Sequence, residues 1–461
     1  MSSYPLIIQG GMGIAVSSYH LAKAVSMAGQ LGVVSGTAID AVMAMRLHYG
    51  DILGNVRRSL NNFPVKEIGQ QMIDKFYNTN NKIKQMFKFT MPSLNMSQEK
   101  ENEIVTANFS EIFLAKEGHK GIVGINFLEK IQFPNLAGIY GALLAGIDYI
   151  IMGAGIPKEI PAVIEKLTRH EKVEYTCNVE NAKEPKKMVF DPSRFGLSNL
   201  KLKRPKFLAI ISSNILAATL MKKSPVSPDG FIIEGHQAGG HNAPPRVSGV
   251  FNENGEPLYG EKDIVDLEKL KELNVPFWLA GSYGTKEGLK KALAAGAAGI
   301  QAGTVFAFTK EAGFTDDIKW KVISSDSINI KTDPLASPTG FPFKVADIAG
   351  SLSDNEIYNK RQRVCNLGYL RTAYEKDDGS IGYRCAAEPV EMYVKKGGRE
   401  ENTRGRKCLC NALMAAAGFP LTCKSGEEEK PLITMGDDYK SVISRPYGYS
   451  AEDVVKEITG M

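Results

Sequence analysis

Asp229-Gly230-Phe231-Ile232-Ile233-Glu234-Gly235-His236-Gln237-Ala238-Gly239-Gly240-His241-Asn242 decides the reading of this chain. Phe231-Ile232-Ile233 is a short apolar run with turn residues in front, which predicts a buried strand. Ala243-Pro244-Pro245-Arg246 follows, and the paired prolines forbid an immediate helix. The stretch is therefore a strand that runs into a glycine-rich loop carrying two histidines. Glycines there let backbone approach a ligand closely. In a (β/α)8 barrel the loops at the C-terminal ends of the strands carry the chemistry. The bland alternative is a tight turn with a surface histidine, and the neighbouring segments decide between the two.

Outward from this point the same rhythm recurs. Leu6-Ile7-Ile8 runs into Gly10-Gly11-Met12-Gly13, and a helical spacing of apolar residues follows from Ser17-Ser18 to Gly29. Leu31-Gly32-Val33-Val34 is a second strand, so the opening is a βαβ unit. Further strands are expected at 121–127, 148–152, 207–211, 229–233, 277–280 and 299–302, with helices at 134–145, 157–168 and 285–295. Residues 171–204 read as a small hairpin. Eight strand–helix units in about 310 residues close a parallel barrel. An open dinucleotide-binding sheet is rejected, because Gly10-Gly11-Met12-Gly13 lacks the Gly-x-Gly-x-x-Gly spacing. The fold class is α/β: a (β/α)8 TIM barrel over residues 1–344, with a helical insertion at about 50–118 after strand 2. Helical patterns run over 41–49, 54–62 and, as a pair, 66–92. A cysteine-containing extension occupies 345–461.

Composition sets the outer limits. The chain has 461 residues, with 43% hydrophobic and 23% charged, and 56 basic against 51 acidic residues. A net charge of +5 is too mild to point to nucleic acid. Apolar residues 5–16 lack the charged lead of a secretory signal, and no apolar window reaches the ~18 residues of a membrane span. A cytoplasmic location with reduced cysteines follows as the expectation.

The last two barrel loops suggest a phosphate. Gly281-Ser282-Tyr283-Gly284-Thr285 and Gly303-Thr304 follow strands 7 and 8, where many barrels bind a phosphate against a helix start. They offer backbone N–H groups, hydroxyls and no bulk. Ordinary βα turns are the alternative.

Taken together, these residues resemble the nitronate monooxygenase (2-nitropropane dioxygenase) family of FMN-dependent barrels. The resemblance is carried by residues 5–12, 124–127, 148–155, 229–242, 279–284 and 302–306. Ser337-Pro338-Thr339-Gly340-Phe341-Pro342-Phe343-Lys344 and the long extension look like the larger subgroup. That subgroup is related to flavin-dependent enoyl reductase components of polyunsaturated fatty acid and polyketide synthases. The resemblance implies FMN, with Gln9, Gly10, Gly11 and Met12 packed on the flavin and Asn126 near its ring system. Gln237, Gly239 and Gly240 would run beside it, and Gly281, Ser282, Gly284, Gly303 and Thr304 would hold the phosphate. The first loop departs from the commoner family pattern, in which Ala-Pro precedes the methionine; here Gly10-Gly11 stands in its place.

The resemblance gives His241 the catalytic role, with His236 ranked second. Histidine titrates nearest neutral pH, so it can accept a proton or pair with an anion. The implied reaction is oxidation of alkyl nitronates or nitroalkanes with O2. The alternative is an enoyl-thioester reductase that takes NAD(P)H as co-substrate and an acyl carrier protein as partner. A third reading makes the chain a carrier-protein-dependent subunit of a larger synthase. The motif serves nitronate and enolate chemistry alike.

Five of the six cysteines, Cys365, Cys385, Cys408, Cys410 and Cys423, lie in the extension; the sixth is Cys177. Cys408-Leu409-Cys410 could ligate a metal with Cys385 and Cys423, but Cys-x-x-Cys pairs are missing. No metal ligand is assigned, and buried free thiols are the simpler reading. A helix is expected from Cys408 through Ala417. The extension is expected to cover the barrel mouth or build a homodimer contact.

Overall fold

The structure, a computed structural model, describes residues 4–78, 88–423 and 425–460. Eight parallel strands form the central sheet: β1 Ile7–Gln9, β2 Gly32–Ser35, β3 Val123–Leu128, β4 Tyr149–Gly153, β5 Lys206–Ile211, β6 Gly230–Glu234, β7 Phe277–Ala280 and β8 Gly299–Ala302. Their spatial order runs from β2 through β3 to β8 and back to β1. A parallel bridge between Ile8 and Leu31 brings the two ends together, so the sheet closes as a (β/α)8 barrel.

Period-two alternation explains the closure. Ile8, Val33, Tyr149, Ile151, Leu208, Ile232, Trp278 and Ala280 form one buried cluster that fills the barrel interior. Their strand neighbours Ile7, Val34, Ile150, Phe207, Phe231, Ile233, Phe277 and Leu279 belong to a second cluster shared with the surrounding helices. Both faces are covered, which is why the strands read as continuous apolar runs. Trp278 lies fully buried, and its indole N–H donates to the Pro5 carbonyl at 2.9 Å.

The helices follow the expected order, with shifts at their ends. The helix expected from Pro157 begins at Ile160, with Pro161 in its first turn. Residues 171–204 contain the expected hairpin, Val173–Cys177 against Lys186–Phe190. In the insertion, Lys66–Phe76 is helical, but residues 88–97 are irregular, and 79–87 lie outside the described residues. Gln98–Lys116 is a 19-residue helix that the sequence reading did not separate. Ser97 caps it by accepting from the Lys100 N–H. Its buried residues include Val105, Thr106, Ala107, Asn108 and Phe109 in succession, so it shows no single apolar stripe.

The segment after residue 344 shares a core with the barrel mouth. Ile14, Ala38, Val42, Met45 and Ile131 cluster with Phe343, Leu367, Leu370, Leu409 and Met414. The Tyr369 hydroxyl donates to Asp40, and Arg371 donates to the Pro92 carbonyl at 2.7 Å. The last helix, Ala451–Thr459, packs against Tyr19–Met27 and Lys286–Ala294 on the outside of the barrel. The expected helix near Cys408 spans Leu409–Ala416, with Cys408 as its N-cap residue. Among the described residues no helix is long and apolar enough to cross a membrane.

Candidate active site

At the C-terminal ends of the strands lies a cavity with about 1530 Å³ of empty space, counting the part open to solvent. Eleven of the fourteen residues singled out from the sequence line it: Gly10, Gly11, Met12, Asn126, Gly239, Gly240, His241, Gly281, Ser282, Gly303 and Thr304. Residues from β1, β3, β6, β7 and β8 thus converge, as the loop argument requires.

The other three do not line the cavity. Gln9 is fully buried behind it; its Oε1 accepts from the Val33 N–H at 2.9 Å and its Nε2 donates to Ser17 Oγ at 2.8 Å. Its side chain braces β1 against β2. Gln237 stays out of the lining, and its backbone carbonyl accepts from the Asp437 N–H at 3.0 Å. Gly284 packs beneath the wall, and a Cβ there would meet Val305 and Asp438 at 3.2–3.3 Å. His236 is also outside the cavity lining and stacks on Tyr259, with centroids 4.4 Å apart.

Small residues matter most where loops nearly touch. A Cβ on Gly11 would stand 2.4 Å from Asn126 Cβ, so only glycine lets the first loop reach that side chain. Asn126 Nδ2 is spent on the carbonyls of Phe127 and Ile151, at 2.9 and 3.1 Å. Gly281 and Ser282 both take positive φ, which turns the β7 loop under the cavity.

His241 is held by the strand Phe343–Ala346. Asn242 N–H donates to the Pro342 carbonyl and Lys344 N–H to the Gly240 carbonyl, both at 2.9 Å. The imidazole meets the Phe343 ring edge-on at 4.9 Å, and its Nε2 lies 2.7 Å from Ser337 Oγ. Burial, and then the nearby Lys130 charge, push its pKa well below the usual histidine range. The ring is therefore neutral at neutral pH. We expect Ser337→Ala to lower kcat about fivefold with KM little changed, because one hydrogen bond of roughly 1 kcal/mol then no longer fixes the ring. Steady-state kinetics on the two proteins checks this.

Two charged residues were missed from the sequence. Glu234, the last residue of β6, lines the cavity; burial pushes its carboxyl up to about 7, against the pull of Lys130. Among the described residues the buried Lys130 Nζ has no hydrogen-bond partner, and it lies 4.0 Å from the centre of the Phe341 ring. Burial brings it down to about 7, opposed by Glu129 and Glu234. Such poised groups cluster at functional sites. Glu234 was visible as a charge ending an apolar strand. Lys130, four residues past Asn126, carried no local signal.

The end of the cavity at Gly303 and Thr304 is not built from bare βα turns. The segment 434–438 crosses it: Gly436 N–H donates to Thr304 Oγ1 at 2.9 Å, and Gly240 N–H to Thr434 Oγ1 at 2.7 Å. Asp438 lines the cavity beside Thr304, and burial raises its pKa, opposed by the hydrogen bond with that hydroxyl.

The family model for nitronate monooxygenase matches residues 163–337. Within this span the chain resembles a nitronate monooxygenase. The span includes β5 to β8, the Gly-Gly-His loop and Ser337. This nitronate monooxygenase-like span contributes Glu234, His241, Ser282, Tyr283, Gln301 and Thr304 to the cavity lining. Among solved structures, the enoyl reductase domain of MlnA from the macrolactin biosynthesis cluster of Bacillus amyloliquefaciens matches with a TM-score of 0.50. It is 11% identical, over 99% of this chain and 94% of that one. The nitroalkane oxidase from Streptomyces ansochromogenes gives 0.47 and 15% identity, over 99% and 96%. FabK from Thermotoga maritima gives 0.47 and 16%, over 99% and 91%. At 11% identity the MlnA match speaks for the fold. No curated protein matches.

Proposed function

We propose that this protein is an FMN-dependent oxidoreductase that oxidises alkyl nitronates or nitroalkanes with O2. The observation that carries the reading is a neutral His241 facing a glycine-lined cavity inside the span that resembles nitronate monooxygenase. The cavity suits the cofactor. Gly10, Gly11, Gly239 and Gly240 leave room for a flat ring along β1 and β6, and Gly281, Ser282, Gly303 and Thr304 would hold the phosphate through backbone N–H groups. When bound, FMN supplies the electron-accepting ring and the reactivity toward O2.

The chain's own groups do the rest. His241, neutral, accepts the α-proton of a nitroalkane or donates a hydrogen bond to a nitronate oxygen. Ser337 keeps its ring in place. Lys130 and Glu234 stand nearby as a pair able to hold a proton or a compensating charge at neutral pH.

A second reading, NAD(P)H-dependent enoyl-thioester reduction with an acyl carrier protein as partner, has one observation in its favour. The extension contributes Leu370, Leu409 and Leu413 to the cavity, an apolar wall that suits an acyl chain. Anaerobic flavin spectroscopy separates the two. Under our reading, a nitronate alone bleaches the visible flavin band and air restores it. Bleaching only by NAD(P)H, reversed by a crotonyl thioester, would establish the reductase. A protein that binds no flavin would end both.

A further inference from the structure

The serine that holds the His241 ring is itself held by the extension. Ser337 lies in the connection 334–342 between the antiparallel strands Ile330–Asp333 and Phe343–Ala346. Arg406 grips that connection. Its Nη1 donates to the carbonyls of Pro334, Leu335 and Ser337, at 3.3, 2.9 and 2.6 Å. The next residue adds another bond, from the Lys407 N–H to the Ala336 carbonyl at 2.9 Å. Arg406 is anchored in turn. Its Nε donates to the Asn402 carbonyl at 3.2 Å, and its own carbonyl accepts the Tyr358 hydroxyl at 3.0 Å. A planar guanidinium can serve the connection and Asn402 at once, whereas a lysine ammonium has no such fork.

Thr339 braces the Ser337 side chain. Its Oγ1 lies 2.8 Å from Ser337 Oγ, and its N–H donates to the same oxygen at 3.3 Å. A serine hydroxyl has one proton and two lone pairs. The Thr339 hydroxyl, the Thr339 N–H and His241 Nε2 at 2.7 Å use all three. Ser337 is 0% exposed, so bulk water does not share these bonds. Bonds on its carbonyl and on its hydroxyl therefore fix where Oγ stands, and Oγ fixes the ring.

We propose that Arg406 and Thr339 are positioning residues for the reaction, acting on His241 through Ser337. The extension is then part of the machinery of the site as well as a wall of its cavity. The kinetic arm of the inference rests on the nitronate reading; the placement of the ring does not.

The test is a set of double variants of the full chain. Arg406→Gln and Thr339→Val should each lower kcat about threefold with KM little changed, less than Ser337→Ala because the bond to the ring is loosened and not removed. Placed in Ser337→Ala, either substitution should change kcat by less than about twofold, because the bond through which it acts is already gone. Thr339→Ser keeps the hydroxyl and should match wild type. The nitrogen-15 signals of the His241 ring, assigned by their loss in His241→Ala, should move in Arg406→Gln, Thr339→Val and Ser337→Ala. Because Arg406→Gln could loosen the extension at large, Thr339→Val, outside the extension, keeps the proposal open to refutation. Effects that multiply in the double variants mean separate structural roles and overturn it, as do ring signals unmoved in Arg406→Gln and Thr339→Val. A protein inert toward nitronates and nitroalkanes whose ring signals move as stated would end the nitronate reading and leave the positioning of His241 standing.

Discussion

Replacing His241 with alanine should lower kcat by about 10²–10⁴, the range of a lost general acid–base group, while bound flavin stays near wild-type level. The expectation rests on placement. His241 alone of the two loop histidines lines the cavity, with Ser337 and Phe343 fixing its ring, whereas His236 is stacked on Tyr259 outside it. His236→Ala should therefore leave kcat within about threefold. Flavin content by absorbance and turnover with a nitroalkane check the pair. Equal kcat for His241→Ala and wild type would remove His241 from the chemistry.

The pH dependence has a definite sign. Burial first, and the Lys130 charge second, depress the His241 pKa. The acid limb of kcat/KM due to this ring should therefore lie below ~6.5, the ordinary histidine value. Stability moves the same way. Below ~6.5 the unfolded chain binds a proton that the folded ring refuses, so the native state loses stability as pH falls through that window. Lys130→Met removes one of the depressing charges and should move the limb upward.

Much of this was legible in the chain. The eight strands were, because apolar runs ending in Gly, Ser or Asn signal buried parallel strands, and the structure pairs them in the expected circular order. The cavity residues were legible wherever a loop approaches through its backbone, as at Gly11 and Gly240. Gln9 sits beside such glycines, but which way its side chain points is set by partners far away in sequence, Val33 and Ser17. Lys130 reaches the site through tertiary folding alone, over Phe341. The helix Gln98–Lys116 was hidden because burial around most of its circumference erases the 3.6-residue stripe.

Lys100→Met should cost about 3–5 kcal/mol, the largest stability effect expected from a single side chain here. Lys100 lies in that hidden helix and is 3% exposed. Its Nζ sits 2.5 Å from Asp40 and 2.9 Å from Glu103. Glu103 has a second cation, Lys75 at 2.7 Å, so the charge left stranded by the substitution is chiefly that of Asp40. Asp40 begins the helix after β2 and accepts the Tyr369 hydroxyl, and Tyr369 in turn lines the cavity. One lysine thus joins the insertion, the barrel and the extension. Removing it strands a buried carboxylate at the point where all three meet. Denaturant titration should show a lower midpoint with an unchanged slope. Adding Asp40→Asn to Lys100→Met should recover a large part of the loss, because it removes the unpaired charge itself. Lys75→Met, whose side chain is 34% exposed, should cost under ~1 kcal/mol. A Lys100→Met protein as stable as wild type would mean that water reaches Asp40, and that this charged contact adds little to holding the extension on the barrel.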